Sequence, residues 1–181
     1  MEESEVKLIR RCQTGDKDAF GAIVKRYAGA ARGAAVLILG SYEDALDASQ
    51  EAFVRAWRHI RTFDTEAPFY PWYAAILRNV CISKMRRRSG RRTVELVDGQ
   101  ARSSADSDPI LLAERNERRD RIWRAIQALS PPHREIIVMN HFQGLSYKEI
   151  AAALDIPIGT VMSRLHAARQ VLKSSLSDEE E

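Results

Sequence analysis

The sequence predicts an all-α fold: two small helical domains joined by a flexible linker, the C-terminal one containing a helix-turn-helix. Three observations lead there. Apolar residues recur at three- and four-residue steps (Leu8 and Cys12, then Phe20, Ile23, Val24 and Tyr27), which is the helical period, and no convincing alternating strand competes with it. Residues 89–109, with Ser89, Gly90, Gly99, Ser103, Ser104, Ser107 and Pro109 among scattered charges, have no sustained apolar period and read as a linker. The chain of 181 residues, 45% apolar, suits one compact domain or two small ones and is not globally disordered.

Each helix has its own punctuation. Gly15-Asp16 separates a short first helix from a second that runs to about Leu39 and stops at Gly40. Ser41 opens a third helix, with Asp44 completing an imperfect capping box because its side chain is shorter than that of Glu. That helix ends near Thr62. Pro68 and Pro71 bracket an aromatic loop, and Pro71 suits the first turn of a fourth helix, where its missing N–H leaves nothing unpaired. The first domain is therefore residues 1–88 and the linker 89–109. The second domain, residues 110–176, carries helices over 110–129, from Ser130-Pro131-Pro132 to Phe142 with Gly144 as the stop, over 146–154, and over 160–176; residues 177–181 form an acidic tail.

Composition excludes several classes of function. The longest run without Asp, Glu, Lys or Arg is twelve residues, Ile136 to Tyr147, well below the roughly 18 to 20 that a membrane span needs. The N-terminus is acidic and then amphipathic, unlike a secretory signal, so a cytoplasmic location is expected. Cys12 and Cys81 lie far apart and form no CxxC, which points to reduced core thiols. His59, His133, His141 and His166 are scattered, and neither a metal-ligand cluster nor a nucleophile beside a base is visible; no metal, cofactor or enzymatic activity is expected.

Charge is modest in sum, +3, but uneven in place. From Ile76 to Arg92 there are seven basic residues and no acid. Immediately before them, five of the thirteen aromatics (Phe63, Phe69, Tyr70, Trp72 and Tyr73) fall within eleven residues. Exposed rings beside positive charge suit unstacked bases, each stacking contact being worth roughly 1–3 kcal/mol. Trp72 and Ile76, one turn apart, read as core; Phe63, Phe69 and Tyr70 read as the rings offered to ligand. Arg86, Arg87 and Arg88 read as phosphate contacts, the alternative being a solvated helix end favoured by the macrodipole.

In the C-terminal domain, Ser146-Tyr147-Lys148-Glu149 is a full capping box. Leu145, Ile150, Leu154, Ile156, Val161 and Leu165 can line one seam across two helices joined by Asp155-Ile156-Pro157, the layout of a helix-turn-helix, with Thr160 expected as the cap of the second helix. That helix enters the major groove N-terminus first. Thr160, Met162, Ser163 and His166 then face DNA, with Ser146 nearby, while Arg164 and Arg169 reach phosphate. A plain helical hairpin is the alternative. On the third helix, Asp47, Gln50, Glu51 and Arg55 are candidates for a protein-binding face, and Phe53 and Trp57 form an i,i+4 apolar pair.

Together these residues resemble a known family. Asp44 to Arg58, Phe69 to Trp72 with Ile76 to Asn79, Gly144 to Ala151 and Gly159 to His166 are similar, in order and spacing, to bacterial extracytoplasmic-function (ECF) sigma factors of the sigma-70 family. The resemblance implies an alternative sigma factor that binds core RNA polymerase through its beta-prime and beta subunits and directs promoter recognition, DNA melting and transcription initiation. It implies that the helix containing Asp47, Gln50, Glu51, Phe53, Arg55 and Trp57 docks on the beta-prime coiled coil. It likewise implies that the loop Thr62 to Tyr70 captures a flipped minus-10 base, that Asn79 faces the same element, and that Thr160 to Lys173 is the minus-35 recognition helix. Promoter DNA and, in many members, an anti-sigma factor are the implied partners. Met162 and Ala167 stand where the family often has basic residues, and Leu46, Ala48 and Ala75 also depart from its pattern.

A homodimeric helix-turn-helix regulator is the competing reading; it leaves the aromatic loop and the Asp44–Arg58 face unexplained. A linker of about 21 residues has a relaxed span of only ~25 Å but stretches to roughly 70 Å. The two units are therefore expected to move independently unless a partner clamps them.

Overall fold

Apolar periodicity and local capping produce the helices in order: α1 (Glu5–Gln13), α2 (Lys17–Leu39), α3 (Tyr42–His59) running into a 3-10 turn (Ile60–Thr62), α4 (Phe69–Arg91), α5 (Pro109–Ala128), α6 (Pro131–Ile137) running into a π-helical turn (Val138–Phe142), α7 (Tyr147–Leu154) and α8 (Ile158–Ser177). This computed structural model describes residues 4–91 and 109–177, with side chains over 4–88 and 117–177. The body of the expected linker and residues 178–181 of the acidic tail lie outside the described residues, which contain no strand; Ser177, expected in the tail, ends α8.

The punctuation read from the sequence is present atom by atom. Asp16 Oδ1 accepts from the Asp18 and Ala19 N–H groups, both at 3.0 Å, and so caps α2. The Ala19 bond, followed by the Arg11 hydrogen bond, holds its carboxyl below the usual range. Gly40 ends α2 at φ 72°, a left-handed conformation that favours glycine, and a Cβ there would stand 3.0 Å from Gln127 Oε1 and press on that amide. The Ser41 side chain accepts from the Asp44 N–H at 3.3 Å. Ser146 and Glu149 exchange both capping-box bonds, at 2.7 and 3.3 Å.

Thr160 is not the cap of α8. The helix begins two residues earlier at Ile158, because the Pro157 carbonyl accepts from the Thr160 and Val161 N–H groups and Asp155, at φ 51°, ends α7 in the left-handed conformation. A proline that cannot continue one helix supplies the first carbonyl of the next. The π-helical turn is a second departure from the expected pattern, which treated residues up to Phe142 as plain helix.

Small side chains shape the first core. Ala31, Ala34 and Ala35 on α2 and Ala45, Ala48, Ala52 and Ala56 on α3 are all buried in one cluster with Ile23, Phe53, Phe69, Tyr73 and Leu77. Cys12 and Cys81 are free and buried; burial pushes their thiols up to about 11 and about 12, so neither is a ready nucleophile at neutral pH.

The two units touch. The end of α2 has carbonyls with no intrahelical partner, and the second unit fills them: Gln127 Nε2 donates to Leu37 O at 2.8 Å and Arg134 Nη1 to Ile38 O at 3.2 Å. A cation at a helix C-terminus is also favoured by the macrodipole. Arg78 on α4 forks onto both carboxylate oxygens of Glu135 on α6, which is only 5% exposed. Val138 joins the first core, and Ala74 of α4 joins the second, with Leu129, Ile136, Ile150, Val161 and Leu165. The ion pair joins residues 57 apart in sequence, a separation that no helical-period argument reaches.

Candidate nucleic-acid interface

Three surfaces contain the sequence-predicted residues. On the first, the expected ring platform is not what the fold builds. Phe69 is fully buried and Phe63 is 7% exposed, so neither offers a face to a base. The cause is tertiary: Tyr27 of α2 stacks on Phe69 at 5.7 Å and on Tyr70 at 5.0 Å, and Phe63 meets Phe69 edge-on at 5.9 Å. Trp72, expected in the core, is half-buried against Phe63. Tyr70 is half-buried, and Gln143 of the second unit donates to its hydroxyl at 3.4 Å. What the loop exposes is Asp64, Glu66, Ala67 and Pro68. Its shape is set locally: Asp64 Oδ1 accepts from the Glu66 N–H and Asp64 O from the Ala67 N–H, each at 3.0 Å.

Asn79 is exposed one position beyond Arg78, whose Nη1 donates to its Oδ1 at 3.0 Å. Arg86, Arg87 and Arg88 are exposed, as a phosphate-contacting set requires. The helix is nonetheless not free of acids, as its own sequence suggested. Asp44 pairs with Arg88 at 3.1 Å and Asp47 with Lys84 at 3.5 Å, because α3 packs beside α4 and brings its acids across.

On the second surface, α3 turns Asp47 and Gln50 to solvent, with Glu51 and Arg55 half-exposed and joined as an i,i+4 ion pair. Phe53 is buried, stacked on Tyr73 at 4.4 Å, so it supports this face from below rather than belonging to it. Trp57 is half-buried against Phe20 at 5.0 Å. Sequence reasoning missed Val54, which is 51% exposed in the middle of the stripe. Its position, four residues after Gln50 and three after Glu51, was the available signal.

On the third surface, α7 and α8 form the helix-turn-helix, with Ile150, Val161, Leu165 and Ala168 inward. Met162 is 54% exposed, Ser163 and His166 are exposed, and Thr160 and Arg164 are half-exposed, so the leading face of α8 points outward. Ser146 is exposed, although its hydroxyl is occupied by the cap. Arg169 is held in place: its Nε donates to His141 Nε2 at 3.2 Å and its Nη2 to Asn140 Oδ1 at 3.1 Å, fixing α8 to the π-helical turn.

His141 must be neutral to accept that bond. Desolvation, then the adjacent Arg169 charge, hold its imidazole below the usual range. The unfolded chain therefore takes up this proton first as pH falls below roughly 6.5. The bridge contributes its full stability above that pH and loses it as pH falls through the lowered folded value. Thermal melts from pH 7.5 to 5 should show the parent losing more midpoint temperature than a His141→Gln variant; parallel losses would refute the linkage.

Among the described residues, no three His, Cys, Asp or Glu side chains converge to hold a metal ion, and no helix is long and apolar enough to cross a membrane. Two family models match, sigma-70 region 2 over residues 23–91 and sigma-70 region 4 over residues 119–172. The chain is 32% identical to the ECF RNA polymerase sigma-E factor of Escherichia coli K12 over 93% of its own length and 92% of that protein's. It is 31% identical to the ECF RNA polymerase sigma factor SigW of Bacillus subtilis, covering 98% and 100%. It is 30% identical to the RNA polymerase sigma-H factor of Pseudomonas aeruginosa, covering 97% and 95%. Among solved structures, CnrH in complex with the cytosolic domain of CnrY superposes with a TM-score of 0.72 at 27% identity, covering 99% of this chain and 100% of that one. The sigma factor RpoE of Bartonella quintana, in complex with the anti-sigma factor NepR, superposes at 0.74 with 26% identity, covering 90% and 98%. The chain belongs to the ECF sigma factors of the sigma-70 family: it is an alternative sigma factor that directs RNA polymerase to promoters and initiates transcription.

Proposed function

We propose that residues 1–88 bind core polymerase and the minus-10 element, that residues 110–176 read the minus-35 element, and that the chain works in the cytoplasm without catalytic chemistry of its own. Asp47, Gln50, Glu51, Val54 and Arg55 form the polymerase-binding stripe on α3. The polar, exposed Asp64–Pro68 loop, Asn79 and Arg86–Arg88 serve the minus-10 element; Phe63 and Phe69 shape that loop from beneath. Met162, Ser163 and His166 meet minus-35 base edges, and Arg164 and Arg169 meet phosphate. CnrH was solved with the cytosolic domain of CnrY and RpoE with the anti-sigma factor NepR, and an anti-sigma factor is the corresponding partner class here.

One observation favours this assignment over a dimeric regulator. The same chain presents an outward recognition helix and, on the other unit, a polar stripe with an exposed valine at its centre, a surface that a DNA-bound dimer leaves without a purpose. Replacing Gln50, Glu51 and Val54 with Ala should weaken capture of core polymerase about tenfold or more, as central contacts do. The helical circular-dichroism signal should stay unchanged, because an exposed i,i+4 ion pair contributes only a few tenths of a kcal/mol. Undiminished polymerase affinity would overturn the assignment of this face.

A further inference from the structure

Helix α1 lies outside both matched regions, yet it grips both ends of the minus-10 loop. At the loop's entry, the Gln13 side-chain amide donates to Phe63 O at 2.7 Å and to Ile60 O at 3.1 Å. At its exit, Glu5 Oε1 accepts from the Phe69 N–H at 3.4 Å, one of the four amides that the start of α4 leaves unpaired. The other Glu5 oxygen accepts from the Tyr27 hydroxyl, and Tyr27 is the ring stacked beneath Phe69 and Tyr70. Glu5 and Gln13 are eight residues apart on one helix, hence about 12 Å along its axis. A single rigid rod therefore fixes the separation of the loop's two ends, while Phe63 against Phe69 closes its floor.

We infer that Gln13 and Glu5 are positioning residues for minus-10 base capture: α1 is a brace that holds the Asp64–Pro68 loop at the opening that receives an unpaired base. The inference rests on the minus-10 assignment of this loop. Neither residue touches DNA; each acts through backbone groups of the loop. A carboxylate at the start of α4 is also favoured by the helix dipole, so Glu5 has reason to be acidic or at least to accept a hydrogen bond.

The test uses holoenzyme reconstituted from core polymerase and the full chain, on a duplex promoter and on the same promoter with an unpaired minus-10 region. Gln13→Ala and Glu5→Ala should each slow open-complex formation on the duplex about tenfold, roughly the loss of one or two hydrogen bonds. They should slow it less than about threefold on the pre-melted template and flatten base preference at the captured position, with core binding unchanged. Glu5→Gln keeps an acceptor for the Phe69 N–H and should restore most of the rate. Equal losses on both templates, or Glu5→Gln behaving like Glu5→Ala, would overturn the brace. If Gln13→Ala fails to fold, the Glu5 pair decides the question alone. A parallel variant replacing Asp64–Pro68 with a Gly-Ser segment of equal length separates the two layers. If it leaves the duplex-to-bubble ratio unchanged, the minus-10 assignment fails; if it changes that ratio while the α1 variants do not, only the brace fails.

Discussion

Arg78→Glu should separate the two helical units. Glu135 is 5% exposed and its carboxylate is forked by Arg78 from the opposite unit. Removing one partner of a buried pair commonly costs about 3–5 kcal/mol, because the other charge is left without compensation. In a single core that cost would appear as lost stability. Here the chain has a cheaper route, since swinging the second unit away returns Glu135 to water, at the loss of the Val138 and Ala74 contacts and the Gln127 and Arg134 bonds to the end of α2. Reversing the charge adds repulsion to desolvation. The variant should therefore open while each unit stays helical. Small-angle scattering reads this directly: a compact chain of this length has a radius of gyration of roughly 16 Å, and the variant should exceed that by several ångströms. The double exchange Arg78→Glu with Glu135→Arg should bring the units back together. A variant scattering curve superimposable on the parent's would show that the apolar contacts and the Gln127 and Arg134 bonds hold them without the ion pair.

On the proposed assignment, opening of the two units has a functional consequence. Minus-10 and minus-35 elements about two helical turns apart are separated by on the order of 70 Å. α4 packs on the same core cluster as α7 and α8, so on the proposed assignment that contact has to open for both elements to be met at once.

Local features were legible in the sequence, and long-range ones were not. Asp16, Gly40, Ser41 and the Ser146–Glu149 box each act within four residues, so the chain's own order displays them. The helix-turn-helix seam was equally visible because its spacing is the helical period. The burial of Phe63 and Phe69 is not legible locally, because an aromatic run before a basic helix looks the same whether its rings face water or a neighbour; Tyr27, more than thirty residues upstream, stacks on Phe69. The acids that neutralise Lys84 and Arg88 sit on α3, visible only once α3 and α4 are packed together. Thr160 lies inside α8 rather than at its cap because the Pro157 carbonyl accepts from the Thr160 and Val161 N–H groups. The contact between units rests on pairs 57 to 96 residues apart.

Minus-35 recognition should divide cleanly between Met162 and Arg169. Met162 is exposed near the leading end of α8, and no lysine or arginine stands at that end to read guanine through two hydrogen bonds. Discrimination there should rest on apolar contact, groove shape and the short hydroxyl of Ser163, which donates to Thr160 O at 3.1 Å. Met162→Arg introduces a side chain able to bond guanine O6 and N7 and should add about 1–3 kcal/mol of discrimination at one base pair. Arg169 acts differently. Its guanidinium is already ordered by His141 and Asn140, so meeting a phosphate costs it little further side-chain freedom. Arg169→Ala should lower affinity almost uniformly across sequences and reduce the salt slope by about one. Loss of the bridge also loosens α8 from the π-helical turn, so His141→Gln serves as the control: it weakens the bridge but keeps the charge and should leave the salt slope intact. A library of minus-35 variants read by transcription with reconstituted holoenzyme checks both. If Arg169→Ala changed preference at a single base pair while Met162→Arg changed nothing, the outward face of α8 would be rotated from the one assigned to DNA.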